Sequence, residues 1–314
     1  MFLFFVFKGN AQYATSHYIA PSPWQYWSNA NEIVLTTEST TTVTVTLKKS
    51  DGTFLATRTL TSAAPDVYRF DGSPWQLNSN PVNTIQDDKG LIVESTGGKV
   101  SVNLRNVASD QASSGGGDTN GSTIKGNASL VSFGNEGRGT AFRLGYYRSD
   151  FAGIAGFNGA SNLPVYSVMA IDDNTQVKIN GTNLVLLNKG QSYLFQRTGT
   201  GDLLEANKPV VANTGAYTDT PGGCGDGAVD QMAPVSILGT RYIVVRGSGT
   251  SGTGTNLPEQ STIIASEGNT QVTVTNYAPN GAFINTTTFT LANGGSYRSI
   301  HHGDANARYS SSII

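Results

Sequence analysis

The chain has little charge, little histidine and almost no cysteine, and each shortage removes a class of function. Charged residues make up 13% of its 314 and leave a net charge of −2. Without a basic field no counterions are released from phosphates, which is the main source of nucleic-acid affinity, so nucleic acid is excluded as a partner. Cys224 is the sole cysteine. No disulfide can close within these residues, and a large β-fold needs no such staple even outside the cell. The histidines are His17, His301 and His302. The adjacent pair, in His301-His302-Gly303-Asp304, would point to opposite faces of a strand and could not share one ion without a turn. No Gly-x-Ser-x-Gly elbow leads into a helix. No cofactor is expected, and no metal. No apolar run approaches the ~20 residues that a membrane-crossing helix needs. The opening MFLFFVF, followed by Lys8 and Asn10-Ala11-Gln12, reads as a signal-peptide remnant over residues 1–12 and predicts a secreted or cell-surface protein. A buried first strand is the competing reading.

Glycine and hydroxyl residues are abundant instead, interleaved with Val, Ile and Leu, as in folds of many short strands joined by tight turns. One phrase is written three times: VLTTESTTTVTV (34–45), VMAIDDNTQVKI (168–179) and IIASEGNTQVTV (263–274). Each has apolar alternation, a polar turn and renewed alternation, the pattern of a hairpin with one buried face. LLNKGQSYLF (186–195) pairs in the same way with LANGGSYRSI (291–300), and LVSFGNEGRGTAFRLGYYR (130–148) with MAPVSILGTRYIVVRG (232–247). The repeat units expected are 13–129, 130–231 and 232–314. A fainter half-period, in which LIVESTGGKVSVNL (91–104) and LLEANKPVVANTG (203–215) echo the hairpins, gives about four strands per ~50 residues, the length of a kelch-class blade. The expected fold is therefore all-β, built of repeated four-stranded units, with a β-propeller-like ring preferred and tandem β-sandwich domains as the alternative. The Gly/Ser-rich stretch 108–126 is an inserted loop.

Candidate chemistry is sparse. Asp172-Asp173, Asp87-Asp88 and Asp226 with Asp230 are the carboxylate pairs that a glycosidase would need. Turn carboxylates also cap backbone amides, and the sister turns contain Ser39-Thr40 and Gly268-Asn269, which favours a turn slot. Trp24, Tyr26 and Trp27, and Phe142, Tyr146 and Tyr147, form aromatic clusters that would fill a core or stack on a sugar or protein ligand. Long loops on rigid strands are where recognition sits, so the candidate ligand-binding residues are Tyr217, Asp226 and Asp230 of the 217–230 loop.

The runs GCGDGAVDQMAPVSILGTRYIVV (223–245), ASEGNTQVTV, LLNKGQSY and EANKPVVANTG resemble the N-terminal domain of the IgGFc-binding protein family. The matching phrases fall on Ala170 to Val177, Gly190 to Tyr193, Ala206 to Val210 and Cys224 to Tyr242, over about residues 128–300. Cys224 departs from the family pattern in having an extra Gly before Asp226. The Asn10-Ala11-Gln12 boundary is similar to that of exported proteins from Bacteroidota. The resemblance implies a non-enzymatic extracellular adhesion or binding module, with a protein or a glycan such as mucin as partner. The alternatives are a carbohydrate-active enzyme and a structural spacer of a large surface adhesin.

Overall fold

The computed structural model describes residues 12–27, 31–70, 80–106, 128–145, 163–216, 228–245, 260–302 and 311–314. Tyr217 and Asp226, Cys224, Tyr146 and Tyr147, and the segment 108–126 lie outside them. The described residues are almost wholly β, in antiparallel sheets, with two short 3-10 turns at Gly134–Gly137 and Val235–Ile237. They divide into two compact units. Of the described residues, one runs to Pro234 without 143–145 and Gly199–Leu203, and the other takes Val235 onward together with those residues.

The first unit begins with strands β1 (Ser16–Ile19), β2 (Asn31–Thr36), β3 (Val43–Lys49), β4 (Phe54–Leu60), β5 (Asp66–Arg69), β6 (Ile85–Gln86), β7 (Leu91–Thr96), β8 (Ser101–Asn106) and β9 (Ser129–Val131). Two four-stranded sheets result, in the orders β1-β7-β3-β4 and β5-β2-β8-β9. Alternation makes each sheet one-sided. In β3, Val43, Val45 and Leu47 are fully buried while the Thr and Lys between them are not. These three join Ile19, Leu91 and Val93 from one sheet and Ile33, Leu35, Val102, Leu104 and Leu130 from the other in a single core. Burial of each such side chain contributes about 1.5–3 kcal/mol. Two sheets closed over one core form a β-sandwich.

The repeated phrase is therefore not a hairpin. In its first copy β2 and β3 belong to different sheets, and the intervening turn carries the chain from one to the other. Propeller blades are made of consecutive strands, whereas these sheets interleave strands from distant parts of the sequence. The described residues do not show a propeller ring, and the sandwich alternative fits this part of the chain.

Further along the same unit come β10 (Gly139–Arg143), β11 (Val165–Ala170), β12 (Thr175–Ile179), β13 (Thr182–Leu187), β14 (Ser192–Gln196), β15 (Leu203–Ala216) and β16 (Ala228–Gln231). The sheet order is β13-β12-β15-β11-β14-β6, with β10 and β16 also on β15. The 14-residue β15 pairs with β12 near its start, Leu204 to Ala206, and with β11 further on, Val210 to Gly215. One strand thus does the work of β7 and β8 together, since β7 pairs with β3 and β8 with β2. The remaining pairs correspond as well: β2 with β5 and β11 with β14, β3 with β4 and β12 with β13, β8 with β9 and β15 with β16.

The second unit carries β17 (Ile243–Val245), β18 (Gln260–Ile264), β19 (Thr270–Tyr277), β20 (Phe283–Leu291), β21 (Tyr297–His301) and β22 (Ser311–Ile313). Sheet β17-β22-β19-β20 has the order of β1-β7-β3-β4, and β18 pairs with β21 as β11 does with β14. The sequence match between the last two copies extends to atoms. Asn174 and Asn269 both take positive φ, 54° and 55°, a conformation that Asn tolerates better than most residues. Thr175 Oγ1 then donates to the Asp172 carbonyl at 2.7 Å and Thr270 Oγ1 to that of Glu267 at 2.9 Å. The Gly190 N–H donates to the Ala170 carbonyl as that of Gly295 does to Ala265, at 2.9 and 2.8 Å.

Within the first unit the two copies meet along a hydrogen-bonded seam. Asn213 Nδ2 donates to the Ala20 carbonyl at 2.6 Å, Gln231 Nε2 to that of Tyr18 at 2.9 Å, and Ser167 Oγ to that of Pro21. Met169 and Val211 pack on Ala20 between them. Buried polar groups at a contact are costly unless paired; the three donors are paired, whereas Asn213 Oδ1 is buried without a hydrogen-bond partner.

Candidate binding surface

Of the three residues expected to bind ligand, the structure places Asp230. It sits on β16 opposite Thr214 and beside Gln231, the buried residue that reaches across the seam. Surrounding protein atoms raise the pKa of its carboxyl above the ordinary value, opposed by the Gln231 N–H, which donates to Oδ1 at 2.9 Å. The side chain is exposed, so water screens the shift and little stability follows from it. Tyr217 and Asp226 belong to the connection between β15 and β16, outside the described residues.

The other acidic pairs hold turns. Asp173 Oδ1 accepts the Lys189 N–H at 3.0 Å and Asp87 Oδ1 accepts Gln191 Nε2 at 2.8 Å. Burial acts to raise the pKa of Asp88, but the Lys89 and Lys49 ammonium groups outweigh it and lower that pKa. Among the described residues no three His, Cys, Asp or Glu side chains cluster closely enough to hold a metal ion. His302 is buried, with Nδ1 2.9 Å from Ser312 Oγ and Nε2 2.8 Å from Ser261 Oγ. Ser312 gives its own proton to Asn276 Oδ1 at 2.6 Å. It therefore accepts from Nδ1–H, and in the neutral ring Nε2 accepts the Ser261 hydroxyl proton. This chain of bonds ties β18 to β22, one strand in each sheet of the second unit.

The aromatic cluster at PSPWQYW fills the core. Trp24 and Tyr26 are 2% and 1% exposed, with Trp24 Nε1 donating to Asn31 Oδ1 and the Tyr26 hydroxyl to the Ala20 carbonyl. Trp27 is half-buried against the same core under the Lys49 ammonium group, and Phe142 is fully buried. A lone sequence cannot separate these from ligand-stacking aromatics, because both occur in polar, Pro-rich surroundings.

The surface that sequence reasoning missed lies on β17. Ile243 and Val245 are 67% and 74% exposed, two residues apart on one face, and Tyr242 beside them is 46% exposed. Among the described residues β17 is the edge of its sheet, held by β22 and by a reciprocal pair of bonds between Tyr242 and Ile314. Its counterpart in the first unit, β1, is covered: His17 and Ile19 are fully buried, and the Arg138 guanidinium lies 5.7 Å from the Tyr18 ring centre. No helix among the described residues is long and apolar enough to cross a membrane.

The family profile described as IgGFc binding protein matches residues 139–312, more than half of the chain. No curated protein matches it. Among solved structures, the apo form of the Pleurotus ostreatus lectin aligns over 96% of this chain and 93% of its own, with 7% identity and a TM-score of 0.13. A similarity that low carries no argument about fold or ligand.

Proposed function

The chain belongs to the IgGFc-binding protein family, and from that premise we propose that it is a non-enzymatic, extracellular binding module that engages a protein partner. In this reading the chain is a string of sandwich-like copies, 13–129, 130–231 and 232–314, supported by the recurrence of the same strand pairs. The carrying observation is the exposed apolar stripe Tyr242, Ile243 and Val245, where the corresponding strand β1 is covered. Aromatic and branched apolar side chains on a rigid strand are the raw material of protein interfaces. The family description names immunoglobulin Fc, which makes Fc the first ligand to test, although a fold does not determine a ligand. Secretion is part of the same proposal.

The experiment is surface binding of the folded protein to immobilised Fc, mucin glycoprotein and free glycans. Ile243→Lys with Val245→Lys should weaken capture of the protein ligand by about 30-fold, the ~2 kcal/mol of an interface hot spot, while far- and near-ultraviolet dichroism stays unchanged. A folded wild-type protein that binds none of these, or binding that the double variant leaves intact, refutes the assignment. Turnover of a polysaccharide would restore the enzymatic reading.

A further inference from the structure

The buried polar chain of the second unit has the order of a nucleophile, a base and the groups that orient the base. Ser261 Oγ lies 2.8 Å from His302 Nε2, and Nδ1 of the same ring lies 2.9 Å from Ser312 Oγ, which donates to Asn276 Oδ1 at 2.6 Å. The Asn276 amide is in turn fixed by its Nδ2, which donates to Asn285 Oδ1 at 2.8 Å. The protons therefore run one way in the neutral ring: Nδ1 carries one, and a bare Nε2 faces the Ser261 hydroxyl. Burial is graded in the same sense. His302 and Ser312 are 3% and 1% exposed, whereas Ser261 is only half-buried, so the serine meets solvent and the ring behind it does not.

The first sandwich shows that the fold does not require this polarity. Two residues beyond the aligned phrases, the cross-strand pair Leu47 and Val93 of β3 and β7 stands in the register place of Asn276 and Ser312 of β19 and β22. Leu47 and Val93 are fully buried in the apolar core. An amide and a hydroxyl in that place give up apolar burial and add groups that must be hydrogen-bonded. Departures of this kind from core chemistry concentrate at functional sites.

We propose that Ser261 is a nucleophilic serine, activated by His302 as general base and acylated by an activated ester. A serine within hydrogen-bond reach of a base, with a third group orienting that base, is the arrangement that activates a hydroxyl. The Ser261 Oγ attacks the ester carbonyl as its proton passes to Nε2. A bond forms from Oγ to the acyl carbon, the bond from that carbon to the leaving oxygen breaks, and the proton on Nε2 goes to the leaving alkoxide. The products are an ester on Ser261 and a free alcohol. Ser312 and Asn276 are positioning residues, because they hold the ring with its proton on Nδ1 and its lone pair toward Ser261. They are neutral and give the imidazolium no counter-charge, so acylation is slow beside that of a carboxylate-supported triad. One acylation consumes the serine. The site thus goes beyond the binding reading and does not depend on it.

The full 314-residue protein is incubated with p-nitrophenyl acetate, release of p-nitrophenolate is followed, and the acetyl group is located by peptide mass spectrometry. Ser261 should be acetylated stoichiometrically, and His302→Gln should slow that reaction by about 100-fold or more, the usual share of a general base. Ser261→Ala should remove the stoichiometric phase. Nitrogen-15 spectra of the wild-type histidines, which need no variant, should show His302 protonated on Nδ1 and bare on Nε2 near neutral pH, and Ser312→Ala should mix the two tautomers and slow acylation. Hydrogen exchange at Gln260–Ile264 checks that each variant keeps β18. The proposal is overturned if Ser261 is acetylated no faster than in the urea-unfolded chain, if His302→Gln keeps β18 and reacts at the wild-type rate, or if the neutral wild-type ring carries its proton on Nε2. Ser261→Ala should leave Fc capture unchanged, which separates this outcome from failure of the binding assay.

Discussion

Replacing Glu32 by Gln probes how the first sandwich is held. Glu32 lies directly between Arg69 on β5 and Arg105 on β8 in the strand register. Its side chain is 4% exposed and accepts Arg69 Nη2 at 2.8 Å and Arg105 Nε at 2.5 Å. Burial alone would raise its pKa, but the two guanidinium groups prevail and hold it below the ordinary value of 4.5. Gln keeps the shape, loses the charge and turns an NH2 toward a cation. A hydrogen bond to a charged group is worth ~1.5–3 kcal/mol. The Arg side chains are 38% and 49% exposed, so water recovers part of the loss, and a net cost of about 2 kcal/mol at pH 7 is expected. With a urea slope of ~2 kcal/mol/M the midpoint falls by about 1 M. Trp24 and Trp27 lie in or against this core, so their fluorescence reports this sandwich. Because the folded pKa is depressed, the unfolded chain takes up the proton first on acidification. The contribution of Glu32 is complete above about pH 4.5 and disappears as pH falls through the folded value. The gap between wild type and variant should therefore close in acid. An unchanged midpoint at pH 7, or an equal gap at pH 3, would refute the reasoning.

Other perturbations test other contacts. His17 is buried, with Nε2 2.9 Å from the Val100 carbonyl, and desolvation lowers its pKa below 6.5; stability is full above about pH 6.5 and should decline as pH falls through the folded value, and a flat fluorescence midpoint from pH 7.5 to 5 would contradict that burial. Gly190 has φ 80°, and a Cβ there would lie 2.2 Å from the Ser50 carbonyl oxygen, whereas Gly181 at φ 78° faces open space; Gly190→Ala should cost more than ~2 kcal/mol and Gly181→Ala about 1 kcal/mol, read as denaturation midpoints. Asp173→Ala removes the acceptor for the Lys189 N–H and should lower stability by ~0.5–1.5 kcal/mol while leaving ligand capture intact; loss of capture with unchanged stability would make that carboxylate a binding group.

The sequence by itself determined the strands and their turns, because alternation and turn chemistry are local. Val43, Val45 and Leu47 face inward for the reason their spacing states, and Asn174, Asn269, Gly190 and Gly295 stand where positive φ is needed. The repeats and the family were legible for the same reason. Which strands become neighbours was not. An apolar face is equally well buried whether the next strand lies beside it or in the opposite sheet, so one phrase fits a hairpin and a sheet crossing alike. Only long-range pairing separated β2 from β3 and put β8 beside β2. Exposure was decided in the same way: Trp24 is sealed by Asn31 and the core, and Ile243 and Val245 are left bare on an edge strand, although all three carry the apolar character that elsewhere marks a core residue. Burial belongs to the assembled sheets, and no single strand contains it.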